Sequence, residues 1–180
     1  MGKFMYNFET KAQTLKFLYE HKEKFSADIL PLYYFTFDKW LENPQKICKD
    51  IEEKFSNYKR LIVRSSAQNE DTSTSSQAGK FISTSCSCNQ FEVLKTCNLV
   101  FNSYDVDNPK NQVLVQPFLE QVEGAGVAFT VDPNSGGNYY VKNYDMSGST
   151  SAVTSGKGKD NNLFYRFKNF IPPPFHIKFI

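Results

Sequence analysis

The chain has 180 residues, of which 40% are hydrophobic and 16% aromatic, and this apolar content is too high for a wholly disordered protein. The net charge of +2 comes from 21 basic and 19 acidic residues, so bulk charge gives no reason to expect binding to nucleic acid or to a membrane surface. No apolar run reaches the ~18 residues of a membrane span, and the first residues lack the apolar core of a signal peptide. We therefore expect a single main domain in a cytoplasmic protein.

The first part of the chain predicts a helix followed by an aromatic strand. Residues 9–22 carry apolar side chains at helical spacing, and Thr10 stands where an N-cap is expected. The stretch ILPLYYFTF, residues 29–37, is rich in β-forming aromatic residues. Pro31 restricts the beginning of this stretch to the end or the edge of a strand.

A second helical region and a short strand lead into a polar stretch. Residues 38–55 have helical character that is interrupted at Asn43-Pro44, and the later part places three apolar residues one turn apart: Ile47, Ile51 and Phe55. The following strand, Leu61–Val63, delivers Arg64 into the polar stretch.

The second half of the chain predicts one helix and then several strands. The helix covers residues 90–104, and its apolar contacts are expected from Phe91, Leu94 and 99–101. A β-branched strand ends at Pro117, two strands are joined by a turn at 132–137, and residues 163–168 form one more strand. In this order the helices come first and the hairpin-forming strands follow. Such an order indicates an α+β fold rather than a doubly wound α/β fold.

The cysteines are interpreted as free thiols that are buried or half-buried. There are four of them, Cys48, Cys86, Cys88 and Cys97, and the spacing CSC differs from the CxxC of metal sites. Both histidines lie far from this pair in sequence, so no metal-ligating residues are assigned.

The polar stretch VRSSAQNEDTSTSSQAGKF, residues 63–81, contains seven hydroxyl side chains, one arginine and two adjacent acids. Serine-rich composition alone is more typical of a flexible linker than of a binding site. However, Arg64 follows a strand directly and carries a permanently charged fork suited to phosphate oxygens. Gly79 closes the stretch and would let backbone N–H groups approach an anion. This combination favours a phosphate-facing loop.

The same stretch resembles the N-terminal nucleotide-binding domain of phosphoenolpyruvate synthase and pyruvate phosphate dikinase-like enzymes. In that family a strand ending in V-R-S-S-A precedes E-D and then S-x-A-G, which correspond here to 63–67, 70–71 and 76–79. Four other stretches are similar to family motifs in the expected order: TKAQTL, ILPLYYFTFDKWL, VLVQPFLE and GAGVAFTVDPNSGG. The resemblance runs from about residue 9 to residue 156.

The resemblance implies an ATP site. Lys11 and Arg64 would hold the phosphates, the loop at 76–79 would close over them, and residues 116–119 would meet adenine. The full implied set is Lys11, Arg64, Ser76, Ala78, Gly79, Gln116, Pro117, Phe118, Leu119 and Asp132.

Three of these residues have simpler interpretations from the sequence alone. Lys11 stands at the start of a helix, where its ammonium and the free backbone N–H groups can attract anions. However, it also suits a solvated helix position. Gln116 suits an ordinary strand end, and Asp132 suits an Asx turn that it holds through its own backbone.

Several family features are missing from this sequence. The family's glycine-rich loop appears as GSTSAVTSG, residues 148–156, with Ser151 where the family has glutamate. This variant is similar to a divergent branch linked to surface-polysaccharide synthesis, whose members include an ATP-dependent glutamine kinase. The D-x-E and Q-x-R-P motifs that accompany Mg²⁺ and the T-x-H of the phosphohistidine domain do not follow. The resemblance therefore implies an ATP-grasp-like domain that is truncated at its C-terminal end, has no catalytic residue of its own and lacks its Mg²⁺ ligands.

Together these observations predict an incomplete nucleotide-binding domain over 1–168 and an irregular Pro-rich tail over 169–180. The complete enzyme would be an ATP-dependent phosphotransferase. It would pass a phosphoryl group through a phosphohistidine, on a separate or downstream domain, to pyruvate or an amide. The alternative is a non-catalytic binding or interaction module that retains the ATP-grasp-like fold.

Overall fold

The computed structural model describes residues 10–67, 71–72, 75–76, 82–104, 108–148 and 162–168. The chain divides into two compact units between Phe118 and Leu119. The mixture of helices with antiparallel sheets confirms the predicted α+β class. The Pro-rich tail at 169–180 and most of the glycine-rich variant at 149–156 lie outside the described residues.

Three of the four described α-helices of the first unit begin at a residue whose side chain caps the helix. The Thr10 hydroxyl accepts a hydrogen bond from the Gln13 amide, and the Asn43 side chain accepts one from the Lys46 amide. Asn43 is followed by Pro44, and proline suits the first position of a helix. None of the described helices is long and apolar enough to cross a membrane. The helices are α1 Lys11–Glu20, α2 Phe37–Glu42, α3 Pro44–Lys54 and α4 Gln90–Phe101.

A four-stranded antiparallel sheet forms the centre of the first unit. Its strand order is β1-β6-β2-β5, so β2 pairs with a neighbour on each side. A two-residue pair, β3 with β4, lies between β2 and β5 in sequence. The six strands are β1 Tyr33–Thr36, β2 Arg60–Ser66, β3 Asp71–Thr72, β4 Ser75–Ser76, β5 Ser83–Ser87 and β6 Gln112–Pro117.

The main core lies on one face of this sheet, against α3 and α4. Leu61 and Val63 of β2 are fully buried there together with Phe55, which follows α3. On the opposite face α1 packs through Ala12 onto Leu114 of β6. Each strand therefore places alternate side chains in two different environments.

Two predictions about this unit are wrong in detail. Phe91 and Leu99 do not supply core contacts, since 74% and 49% of their surface is exposed. Val100 and Phe101 are buried and Leu94 packs against the core, as predicted, while Val93 and Cys97 complete the buried side of α4. The central strand also runs to Ser66, beyond the predicted end at residue 63, since pairing with β6 outweighs the weak strand preference of serine.

The second unit contains a three-stranded antiparallel sheet. Its strands, in order across the sheet, are β7 Ala125–Phe129, β8 Tyr139–Asp145 and β9 Asn162–Phe167. Gly126 brings β7 close to β8, because a Cβ atom there would lie 2.4 Å from the Asn143 carbonyl oxygen. These strands confirm the predicted hairpin and final strand.

The thiols are buried in the way the sequence predicted. Cys48, Cys86 and Cys97 are buried and Cys88 is half-buried, all as free thiols. Burial raises the pKa of the Cys48 thiol to about 11. Since the thiolate is the reactive form, this shift lowers the reactivity that we expect of Cys48 at neutral pH.

Phe55→Ala and Phe91→Ala test the assignment of the core with the same chemical change at two positions. Phe55 is fully buried, so its truncation is expected to lower the free energy of unfolding by about 3–5 kcal/mol. Phe91→Ala is expected to change it by about 0.5 kcal/mol or less. Urea unfolding measures both variants. Equal losses would contradict the described orientation of α4.

Candidate functional site

Seven residues on the second face of the four-stranded sheet form the arginine face: Arg60, Ile62, Arg64, Ser83, Ser85, Gln116 and Phe118. Leu61 and Val63 point into the main core, so the alternating residues of β2 point to the opposite side. Pairing places Ile62 between Ser85 and Gln116, and Arg64 opposite Ser83. The sheet thus gathers side chains from three strands onto one surface.

Arg64 lies within β2 rather than at its end. It is half-buried and has paired neighbours on both sides, Leu114 on β6 and Ser83 on β5. The expectation of a strand-end arginine is therefore corrected. A position within a paired strand holds the root of the side chain more firmly than a loop would.

Arg60 is the member of the arginine face that sequence reasoning missed. Its Nη2 donates to the Ser85 hydroxyl at 2.6 Å, and its Cζ lies 4.4 Å from the centroid of the Phe118 ring. The Phe118 amide also donates to the Arg60 carbonyl oxygen at 3.0 Å. Spacing could have found it, because residues four apart in a strand share a face.

Gln116, Pro117 and Phe118 lie at the end of β6, on the neighbouring strand. Gln116 is buried and pairs with Ile62, while Pro117 pairs with Leu61 on the core side. Gln116 and Phe118 therefore share a face of the sheet with Arg64, and Phe118 lies beside Arg60 at the other end of β2. Leu119 begins the second unit.

Lys11 begins α1, whose first amides already have partners within the protein. The Ala12 amide donates to the Ser66 hydroxyl at 2.9 Å, and the Gln13 amide donates to the Thr10 hydroxyl at 3.2 Å. The expectation that these N–H groups are available to an anion is therefore wrong, because side-chain oxygens satisfy them. Lys11 itself is half-buried, and its predicted phosphate contact stays a prediction.

A buried polar cluster joins the start of α1 to the ends of β2 and β6. Besides the Ala12 contact, the Ser66 amide donates to the Tyr104 hydroxyl at 2.9 Å. The Tyr104 hydroxyl in turn donates to the Gln112 carbonyl oxygen at 2.5 Å. The Thr10 hydroxyl donates to the Gln112 side-chain oxygen at 2.8 Å. These bonds fix the end of the strand from which the serine-rich stretch begins.

Asp132 holds the turn between β7 and β8 in the second unit. Its carboxylate accepts from the Asn134 amide at 3.1 Å and from the Ser135 hydroxyl at 2.5 Å. The hydrogen bond from Ser135 is the main cause that lowers the pKa of Asp132. This geometry confirms the Asx interpretation.

The loop predicted to close over phosphate falls largely outside the described residues. Ala78 and Gly79 lie outside them. The backbone of Ser76 belongs to β4 and pairs with Asp71. The three residues stay predictions as ATP contacts.

A cleft in the described part of the chain lies away from the arginine face. It has a volume of about 500 Å³ and lies along β1, with Lys16, Lys39 and Lys46 among its lining residues. Lys39 pairs with Glu42 at 3.0 Å and Lys46 with Asp50 at 2.7 Å. Acids on the same surface therefore balance two of the lysines that line this cleft.

The arginine face has the chemistry to bind an elongated anion with an aromatic end. Arg60 and Arg64 are four residues apart along a strand, which separates their Cα atoms by about 13 Å. Ser85 of β5 lies level with the midpoint between them, and the Phe118 ring lies at the Arg60 end. No group of three or more His, Cys, Asp or Glu residues in the described ranges could hold a metal ion.

No family model matches the chain, and no curated protein matches it. The resemblance to the phosphoenolpyruvate synthase family therefore depends on the five motifs identified in the sequence.

Ser66→Ala tests the buried polar cluster. The substitution leaves the Ala12 amide without its acceptor in a buried position, which is expected to lower the free energy of unfolding by about 1–3 kcal/mol. Ser87→Ala, at an exposed position of β5, is the control, with an expected change of about 0.5 kcal/mol or less. Urea unfolding gives the stabilities, and amide hydrogen exchange in α1 should rise only for Ser66→Ala. Unchanged α1 exchange would contradict the anchoring role.

Proposed function

We propose that this chain binds ATP as the nucleotide-binding part of an ATP-dependent phosphotransferase with an ATP-grasp-like fold. The observation that carries the proposal is the convergence of two motifs on the arginine face. Arg64 comes from the V-R-S-S-A match, while Gln116 and Phe118 come from the match to the adenine hinge. Pairing of β2 with β6 brings these distant parts of the sequence onto one surface.

The charge and shape of the arginine face support a nucleotide as the ligand. Arginine presents a planar set of donors that suits phosphate oxygens, and Arg64 is rooted in a central strand. Phosphates at Arg64 place the other end of the ligand toward Phe118. The base would then lie near the end of β6, where the backbone leaves the sheet after Pro117.

The proposed role of this chain is to hold and orient ATP. The resemblance assigns the next step to a phosphohistidine domain, which is separate or downstream, and then to an acceptor such as pyruvate or an amide. When bound, Mg²⁺ would offset charge on the phosphates. The described residues offer no cluster that fits this ion, so we derive no step through it.

A binding module without catalysis is the second candidate function. The absence of a metal-binding cluster from the described residues favours it. Ser151, where the family has glutamate, favours it as well. The position of Arg64 on the same face as the hinge residues favours the nucleotide-binding proposal instead.

Thermal unfolding with ATP tests the proposal directly. Binding to the folded state alone stabilises it by roughly 2.7 kcal/mol at a hundredfold excess over Kd, so millimolar ATP should raise the melting temperature. The titration is done without added Mg²⁺, so that only contacts between protein and nucleotide contribute. Arg64→Ala is expected to abolish the shift.

Lys49→Ala is the control for loss of one positive charge. Lys49 belongs to α3 on the core side of the sheet and pairs with Glu53 at the surface, so its removal should leave the ATP shift intact. The proposal is contradicted if Arg64→Ala and Lys49→Ala give equal shifts. A wild-type chain that melts cooperatively without any response to ATP would favour the binding module.

A further inference from the structure

We propose that one face of the three-stranded sheet in the second unit binds the Pro-rich segment of this chain, residues 169–180. This proposal concerns the second unit alone and does not depend on the binding of ATP. Paired residues of an antiparallel sheet point to the same side, and alternate residues along each strand share a face. Six side chains thereby form the aromatic face: Phe129, Tyr139, Val141, Leu163, Tyr165 and Phe167.

The aromatic face is apolar and partly exposed. Val141 is buried at its centre, and the other five side chains each expose between 38% and 60% of their surface. The Tyr139 ring packs on its neighbours from β9, with centroid distances of 5.3 Å to Phe167 and 6.3 Å to Tyr165. None of the six residues is charged. Contiguous exposed apolar surface of this kind marks a place where another segment or molecule binds.

The opposite face of the same sheet has a different character. There the Lys168 Nζ lies 5.5 Å from the centroid of the Tyr140 ring, and the Lys142 Nζ lies 5.9 Å from that of Phe164. Cationic side chains thus accompany the exposed rings on that side. An apolar segment is therefore expected on the aromatic face.

The segment NFIPPPFHIKFI, residues 169–180, has a composition that suits this surface. Nine of its twelve residues are Phe, Ile or Pro, and 172–174 are three consecutive prolines. Such a run favours the polyproline II conformation, and proline has no backbone N–H that an apolar surface would leave without an acceptor. Pro-rich segments bind aromatic-lined surfaces because their extended conformation is largely preformed and little entropy is lost.

Strand β9 brings the segment to the aromatic face. The Lys168 amide donates to the Asn138 carbonyl oxygen at 3.1 Å, so the sheet extends to the residue before the segment. Phe167 and Tyr139 are paired at this end. Twelve residues at about 3.1 Å each span roughly 37 Å, while the outer strands of the sheet lie about 10 Å apart. The segment is thus long enough to cross all three strands.

Nuclear Overhauser effects measured on the full chain test the proposal without any substitution. We expect contacts between the ring protons of prolines 172–174 and the ring protons of Tyr139 or Tyr165. Proline contacts with Tyr140 or Phe164 instead would place the segment on the opposite face and overturn the proposal. The absence of contacts between the prolines and the aromatic face would overturn it as well.

A synthetic peptide with the sequence of residues 169–180 tests whether the chain's own segment occupies the face. Replacing all three prolines at 172–174 by alanine in the full chain should open the face. If the face is about nine-tenths occupied in the wild type, the peptide should bind this variant about tenfold more tightly, because apparent affinity is reduced by the fraction of open sites. Equal affinity for the two chains, or no binding to either, overturns the proposal. Isothermal titration calorimetry measures the affinities.

Two neighbouring tyrosines of β8 give matched variants in this alanine-substituted chain. Tyr139 and Tyr140 are 38% and 39% exposed and lie on opposite faces of the sheet. Tyr139→Ala should weaken peptide binding about tenfold, as expected for an aromatic contact at the centre of an interface, whereas Tyr140→Ala should change it by about twofold or less. Tyr165→Ala is a second variant of the aromatic face, with the same expected loss as Tyr139→Ala. Equal effects on the two faces would overturn the proposal.

Discussion

The central strand β2 positions both the main core and the arginine face. Pairing with β5 and β6 fixes it on both sides, and strand alternation then sends Leu61 and Val63 into the core. The same alternation sends Arg60 and Arg64 to the opposite face. A slip of one residue in register would exchange these sets, burying two charges and exposing two core side chains. Core packing therefore also positions the charged groups of the arginine face.

The surroundings of β2 limit how far the arginine face can move. At one end, Ser66 is buried and accepts from the Ala12 amide, and the Tyr104 hydroxyl links β2 to β6. At the other end, Phe118 is bonded to the backbone of Arg60. Both ends of the strand are thus anchored by hydrogen bonds to other parts of the unit. This arrangement suits a site that orients its ligand, because little ordering is left for the moment of binding.

Local signals in the sequence predicted local structure well. Asn43 with Pro44, and Asp132 with its turn, form the predicted structures because the bonds involved span only a few residues. The orientation of Phe91 and the full length of β2 were missed, since tertiary packing and strand pairing decide them. The contact between Arg60 and Phe118 was missed for a related reason, because it forms only when β6 places Phe118 beside Arg60. The motif resemblance pointed to Arg64 and the hinge but gave no sign of this contact.

The most direct test of the account is to observe where ATP binds. At 20.7 kDa the chain suits two-dimensional ¹H–¹⁵N NMR, in which backbone amide peaks shift near a bound ligand. We expect the largest shifts on titration with ATP in β2, in β5 and at residues 116–118, with little change in α3. Shifts confined to the cleft beside β1, around Tyr34 and Lys39, would place the ligand elsewhere and contradict the central claim.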